Sequence, residues 1–241
     1  MTEPDRVVHA MVELTDLVAE DFDLLEVLYV LSARAAELSG STAAGVLALD
    51  EQHDEFSLAA ATSRDVRCLE LFEAQGAYGP SRAAYHARST VIASDLSDSY
   101  DEWPEFVEKA VEARCRSLLV APIQRRGVSV GTLTVLREVP GSFGADVEAI
   151  VDGLARIAAI ALLTERTARS AQERRSSLAR VLEGREVVEQ AQREVATQLG
   201  VPLAQAFDRL RRYAREHDTL LQEAADRVVS GRVEAGALPH L

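Results

Sequence analysis

Four arginines fall within seven positions near the end of the chain, Arg209, Arg211, Arg212 and Arg215, with Tyr213 among them. Guanidinium groups fork onto phosphate oxygens and stack on bases, and a tyrosine ring offers a stacking face, so this spacing suits looped or single-stranded nucleic acid. Asp208 and Glu216 stand four residues either side of Arg212, and Asp218 follows Arg215 by three. Such pairs meet on a helix surface, so the stretch reads equally as a solvated, salt-bridged face. A second constellation is Tyr100, Trp103 and Phe106, close in sequence to Asp95 and followed by Arg116. Ligand sites are mostly apolar with a few placed polar groups, and these five can line one. The alternative is that Trp103 and Phe106 pin a loop onto the core. Cys68 and Cys115 belong to no CxxC pair and read as reduced, packed thiols. His53 and His86 lack ligand-spaced neighbours and read as surface residues. These patterns predict no metal site and no catalytic residue.

Absences narrow the chemistry further. The 241 residues contain no asparagine, and Lys109 is the one lysine among 26 basic residues. No Gly-Lys pair exists, so a P-loop that reaches terminal phosphates with its lysine is excluded. Kinase active sites that hold magnesium with asparagine are excluded too. The longest apolar run, Ile157 to Leu163, is far short of the roughly 20 residues of a membrane span. Met1 to Asp5 carry two acids and no basic start of a secretory signal, so the expected location is the cytoplasm, with no membrane partner.

The charge divides the chain. Residues 1–173 hold 15 Lys+Arg against 29 Asp+Glu, whereas residues 174–232 hold 11 Arg against 9 acids. A shift of that size suggests two modules with different partners. In the first, the apolar spacing from Asp16 to Ser39 predicts an amphipathic helix ended by Gly40. Ala43–Leu49 and Phe56–Ala61 read as a hairpin, and Val66–Ala74 as a helix broken by Gly76, Gly79 and Pro80. A short strand at Thr90–Ala93 and a helix over Pro104–Ala113 follow. Ser117–Gln124 and Val128–Arg137 read as an antiparallel pair turned at Arg125-Arg126-Gly127, and a long helix runs from Gly144 through Ala161. The order describes an α+β domain with one antiparallel sheet and flanking helices.

On these residues the segment 15–165 resembles a GAF domain. The carriers are Gly79-Pro80, Val91 through Leu96, Trp103-Pro104-Glu105-Phe106, Arg116-Ser117-Leu118-Leu119, Pro122-Ile123, and Gly127 with Gly131-Thr132-Leu133. The likeness is closest to GAF domains of actinobacterial regulators. It implies a six-stranded sensor that often pairs as a dimer and holds a small molecule, here of unknown identity, against Asp95, Tyr100, Trp103, Phe106 and Arg116. Arg114 stands where relatives usually carry glycine, and Ser81 where they often carry cysteine. The asparagine of cyclic-nucleotide-binding relatives, the Cys-His context of bilin attachment and the cysteine set of free methionine sulfoxide reductases all lack counterparts.

Residues 166–177 read as a polar helical connector. Its thin seam through Ile157, Ile160, Thr164, Thr167, Ala171, Arg174, Leu178 and Val181 is too polar for a strong coiled coil alone. Beyond it three short helical stripes form a small bundle: Leu178 to Leu199, stopped by Gly200 and Pro202; Leu203 to Ala214; and Leu221 to Val229, with Asp218 as N-cap and Gly231 as stop. The stretch 178–232 resembles the ANTAR domain of antitermination regulators. Its carriers are Leu182, Arg185, Val188-Glu189-Gln190-Ala191, Ala206-Phe207, Leu210 through Arg215, and the spacing through Leu221, Ala224 and Val228. The resemblance implies a homodimer that binds hairpin leader RNA, not DNA, and so controls transcription termination. It puts the contacts on Arg185, Gln192, Arg193, Arg209, Arg211, Arg212 and Arg215. Relatives usually read Ala-Lys-Gly where this chain has Ala191-Gln192-Arg193. The alternative is a dimeric signalling or protein-interaction module whose departed ANTAR domain has given up RNA.

Overall fold

Asp23 starts the first long core helix: its Oδ1 accepts from the backbone N–H of Leu25 at 3.0 Å and of Glu26 at 3.4 Å, and α2 runs from Leu24 to Ser39. The computed structural model describes residues 3–18, 22–50, 54–63, 65–167 and 171–239, with the side chains of Glu3, Val66 and 166–183 outside that description. The helix expected over Asp16–Ser39 is therefore two: α1, Glu3–Leu17, precedes α2. Leu17 and Leu24 are seven residues apart, a spacing that mimics one continuous stripe, but the Asp23 cap restarts the chain. Arg34 of α2 ties the two helices, reaching Glu13 of α1 at 2.8 Å and Glu37 at 2.6 Å. Gly40, at φ 59, closes α2 in the left-handed conformation that glycine tolerates best.

β1 (Ala43–Asp50) and β2 (Glu55–Ala61) form the expected hairpin. Next come α3 (Val66–Tyr78), α4 (Pro80–Ala87), β3 (Val91–Ala93), a 3₁₀ turn at Leu96–Ser99 and α5 (Pro104–Glu112). β4 (Ser117–Arg125), β5 (Val128–Arg137) and α6 (Ala145–Thr167) complete this unit. Arg126 at φ 51 and Gly127 at φ 81 make the two-residue turn between β4 and β5, where two successive positive φ values match the twist of the strands.

Of the breaks read from the sequence, the one at Gly76 is corrected and the one at Gly79-Pro80 holds. Gly76 does not stop α3, because a Cβ there would stand 2.5 Å from Phe56 Cβ; the glycine lets helix and strand approach. Gly79-Pro80 ends α3 and at once begins α4, with Pro80 in the first turn, where its missing N–H costs nothing.

Among the described residues the sheet has five strands in the order β2-β1-β5-β4-β3, every pairing antiparallel, rather than the six implied by the resemblance. α2 and α6 pack on one side, while α3, α4 and α5 belong to the other. Strand alternation explains the division: Leu133 and Val135 are buried toward one face, and Thr132, Thr134 and Leu136 toward the other. Ala43, Leu47, Leu58, Leu118 and Val120 join Leu71, Phe72, Trp103 and Phe106 in the core on the α3 side.

The chain divides into two compact units, Met1–Arg174 and Arg175–Leu241. α7 (Ala171–Leu199), most of which belongs to the second unit, is a 29-residue helix rather than a short one. α8 (Leu203–Glu216) and α9 (Leu221–Val229) follow, and a 3₁₀ turn at Ala235–Ala237 buries Ala235 and Leu238. Val188, Ala191 and Val195 of α7 are buried, as are Phe207, Leu210, Leu221, Ala224 and Val228. Asp218 does not cap α9. It lies at φ 49 past the end of α8, and the Thr219 N–H closes that helix on Ala214 O at 2.9 Å, leaving Leu220 at the N-cap. The connector seam from Thr167 to Val181 lies outside the described side chains, and His53 lies outside the described residues.

Candidate functional site

Of the five residues picked out on the first unit, two meet directly. Arg116 Nη2 donates to both Asp95 oxygens, at 3.0 and 3.2 Å. Asp95 also accepts from the Ser97 hydroxyl at 2.8 Å and the Ser97 N–H at 3.1 Å, capping the 3₁₀ turn. The Ser97 hydroxyl and N–H, aided by the Arg116 guanidinium, hold this carboxyl below the usual carboxylate range. Tyr100 is half exposed and donates to Glu108 Oε1 at 3.2 Å. Trp103 and Phe106 are seated in the core cluster with Leu71, Phe72 and Leu118, with Phe106 only 1% exposed. Trp103 is also the N-cap residue of α5, so the loop from Asp95 to Phe106 is fastened by an ion pair at its start and by two aromatic rings at its end.

Cys68 and Cys115 belong to the same core. Burial pushes the Cys115 thiol up to about 12 and raises Cys68 as well. A thiol held protonated is neither a nucleophile nor a metal ligand. Among the described residues no cluster of His, Cys, Asp or Glu has the arrangement of a metal site.

A polar row lies between the sheet and the helices on the α3 side. The Thr132 hydroxyl donates to Ser81 Oγ at 3.0 Å and the Thr134 hydroxyl to Gln75 Oε1 at 3.0 Å, all four side chains being buried. Gln75 Nε2 finds no partner among the described residues. The sequence carried a signal for this row: Thr132 and Thr134 are an i, i+2 pair within an apolar strand, and therefore share a face. Arg82 secures the rim, donating to Asp54 Oδ2 at 2.9 Å, Asp54 O at 2.8 Å and Gly76 O at 3.1 Å. Separately, an open groove of about 500 Å³ is lined by Arg125, Arg126, Gly127, Asp152, Arg156 and Ile160, among others. Arg156 is there paired with Asp152 at 2.9 Å.

On the second unit, Arg209, Arg212 and Arg215 stand at i, i+3 and i+6 of α8 and form one ridge, turning by about 60° per step. Arg212 and Arg215 are exposed; Arg209 and Arg211 are half-buried. Arg211 lies off this ridge, on the far side of α8 from Arg209. Arg185 of α7 is paired with Glu189 one turn on, at 3.6 Å and largely shielded from solvent. Gln192 is half-buried, whereas Arg193 is exposed and rotated about 100° from it. The stacking face sought in Tyr213 is already taken. Its ring is buried, with His217 stacked on it at a centroid distance of 3.9 Å and an interplanar angle of 23°.

A family model described as GAF domain matches residues 23–163, and one described as ANTAR domain matches residues 176–229. The first unit also resembles solved structures. One is the GAF domain of an Acinetobacter phosphoenolpyruvate-protein phosphotransferase, at 14% identity and TM-score 0.57, covering 71% of this chain and 99% of that one. Another is a free methionine-R-sulfoxide reductase from Neisseria meningitidis, at 20% identity and TM-score 0.54, covering 68% and 92%. A third is a GAF domain/HD domain protein from Geobacter sulfurreducens, at 19% identity and TM-score 0.52, covering 64% and 98%. At these identities the likeness is one of fold. No curated protein matches the chain. Among the described residues no helix is long and apolar enough to cross a membrane.

Proposed function

Because the chain belongs to the GAF-domain family and carries an ANTAR domain behind it, we propose that it is a signal-responsive regulator that binds hairpin RNA and controls transcription termination. The observation that carries this reading is the Arg209–Arg212–Arg215 ridge on α8, which offers guanidinium groups at a spacing suited to successive phosphates. Arg193 adds an exposed cation on α7, while Arg185 and Gln192 act more through packing than through charge. The sensor takes a small molecule beside the Asp95–Arg116 pair, and binding that displaced Trp103 would reach the core through α5. The protein works as a homodimer and performs no catalysis.

Direct titration of the purified protein with a two-hairpin RNA, against a scrambled sequence and across salt concentrations, tests the reading. Binding that prefers the hairpins and weakens steeply with salt supports it. A second reading, a dimeric protein-interaction module, draws on the Arg185–Glu189 pair and the neutral Gln192, which together reduce the free cation count on α7. Equal, weak binding of both RNAs by a folded dimer favours that one.

A further inference from the structure

The end of α8 carries an aromatic pair that charge patterning does not explain. His217 is held by two contacts to one acceptor: its backbone N–H donates to Tyr213 O at 3.1 Å, and its ring Nδ1 lies 3.0 Å from the same oxygen. A carbonyl oxygen only accepts, so Nδ1 bears the proton there, and ring position and tautomer are fixed together. The imidazole then lies nearly parallel to the Tyr213 ring, 3.9 Å away. Tyr213 is buried, but His217 is exposed, so the imidazole stacked on tyrosine remains open to solvent. A flat, immobilised and exposed aromatic ring offers a base a stacking surface at little further cost in side-chain freedom.

Two further atoms nearby in sequence point the same way. Arg209 Nε, one turn before Tyr213, and Thr219 Oγ1, two residues after His217, are buried polar atoms without a hydrogen-bond partner among the described residues. Buried polar groups are ordinarily satisfied, so these two atoms are unfilled hydrogen-bonding positions in the stretch of chain that carries the stacked pair. Arg209 also begins the arginine ridge, and Arg215, which ends it, stands two residues before His217 in the chain.

We infer that His217, backed by Tyr213, is a stacking platform for an unpaired loop base of the RNA. This rests on the RNA-binding reading above and adds base contact to phosphate contact. The probe is a synthetic RNA of two stem-loops carrying 2-aminopurine at one loop position at a time, bound to the full chain. One loop position is expected to lose fluorescence on binding. His217→Ala should abolish that quenching and weaken affinity roughly 5- to 100-fold, with the salt slope unchanged, because a base stack releases no counterions. His217→Trp should restore both, which a merely structural role would not predict. Unaltered thermal unfolding of His217→Ala would show that the fold is intact. Binding by the wild type with no quenched position, or quenching that survives His217→Ala, overturns the platform and leaves the RNA reading standing. Absence of hairpin preference in the wild type overturns both.

Discussion

Thr134 on β5 donates its hydroxyl proton to Gln75 Oε1 on α3 across 3.0 Å, and both side chains are closed off from water. Removing one partner strands the other in a dry site, so Thr134→Val should lower unfolding free energy by about 1–3 kcal/mol. Pairing Thr134→Val with Gln75→Leu removes both polar groups and should recover most of that loss. Urea titration of the two single variants and the double variant measures the coupling.

Gly76 should resist substitution although it lies inside a helix. Alanine improves helix propensity by about 1 kcal/mol. Its Cβ would nevertheless sit 2.5 Å from Phe56 Cβ, and overpacking of that kind costs about 1–3 kcal/mol, so Gly76→Ala should be destabilising on balance. A fall in the thermal midpoint checks this, and partial recovery in a Gly76→Ala, Phe56→Leu double variant would locate the clash.

The raised thiol of Cys115 sets an alkaline limit. Its folded value is about 12, above the ordinary 9.0, so the folded state holds the proton more tightly. The associated stability is intact below about pH 9 and is lost as pH climbs toward about 12. Urea midpoints should therefore fall across that window, and Cys115→Ala should flatten the fall. Iodoacetamide at pH 8 should label neither thiol until the protein unfolds.

Trp103→Ala should cost about 3–5 kcal/mol, as expected for a large side chain lost from a core. Tyr100→Phe, which removes one exposed hydrogen bond to Glu108, should stay within about 0.5 kcal/mol. The contrast, read by chemical denaturation, separates the ring that fastens the loop from the ring that faces solvent. It also sets the baseline for any ligand that moves Trp103.

Replacing the ridge residues Arg209, Arg212 and Arg215 together by alanine should abolish hairpin binding while leaving circular dichroism and the unfolding midpoint nearly unchanged. Single replacements of Arg212 or Arg215 should each reduce the salt slope by about 1, the signature of one lost phosphate contact. A slope that does not move in the triple variant would place the RNA elsewhere.

Local chemistry explains which elements could be read in the sequence. The β4–β5 hairpin was legible because Gly127 supplies one of the two positive φ values that its two-residue turn demands. α5 was legible from Pro104, which suits a first helical turn. α4 was not, because Gly79-Pro80 carries the same signal for stopping one helix and for starting the next, and only the packing against β4 and β5 decides. The α1–α2 junction was hidden by leucines seven apart. At the candidate sites, charge pattern found the α8 arginines but placed no partner for Arg185. The polar row under α3 escaped notice because threonine in a strand reads as ordinary β propensity. His217 escaped because a lone histidine past a helix end carries no periodic signal; its partner is visible only once the last turn of α8 is folded.

The sheet ends on a strand of three residues, Val91–Ala93, and just beyond it the Gly141 N–H bonds Ser94 O at 2.8 Å. An exposed strand edge is a template on which another chain can add a rung. Here the template is too short to hold one, and the next carbonyl is already claimed from within the fold. What blunts this margin as a template is brevity rather than charge, and lengthening β3 by even a few β-branched residues is expected to make it a sticky border.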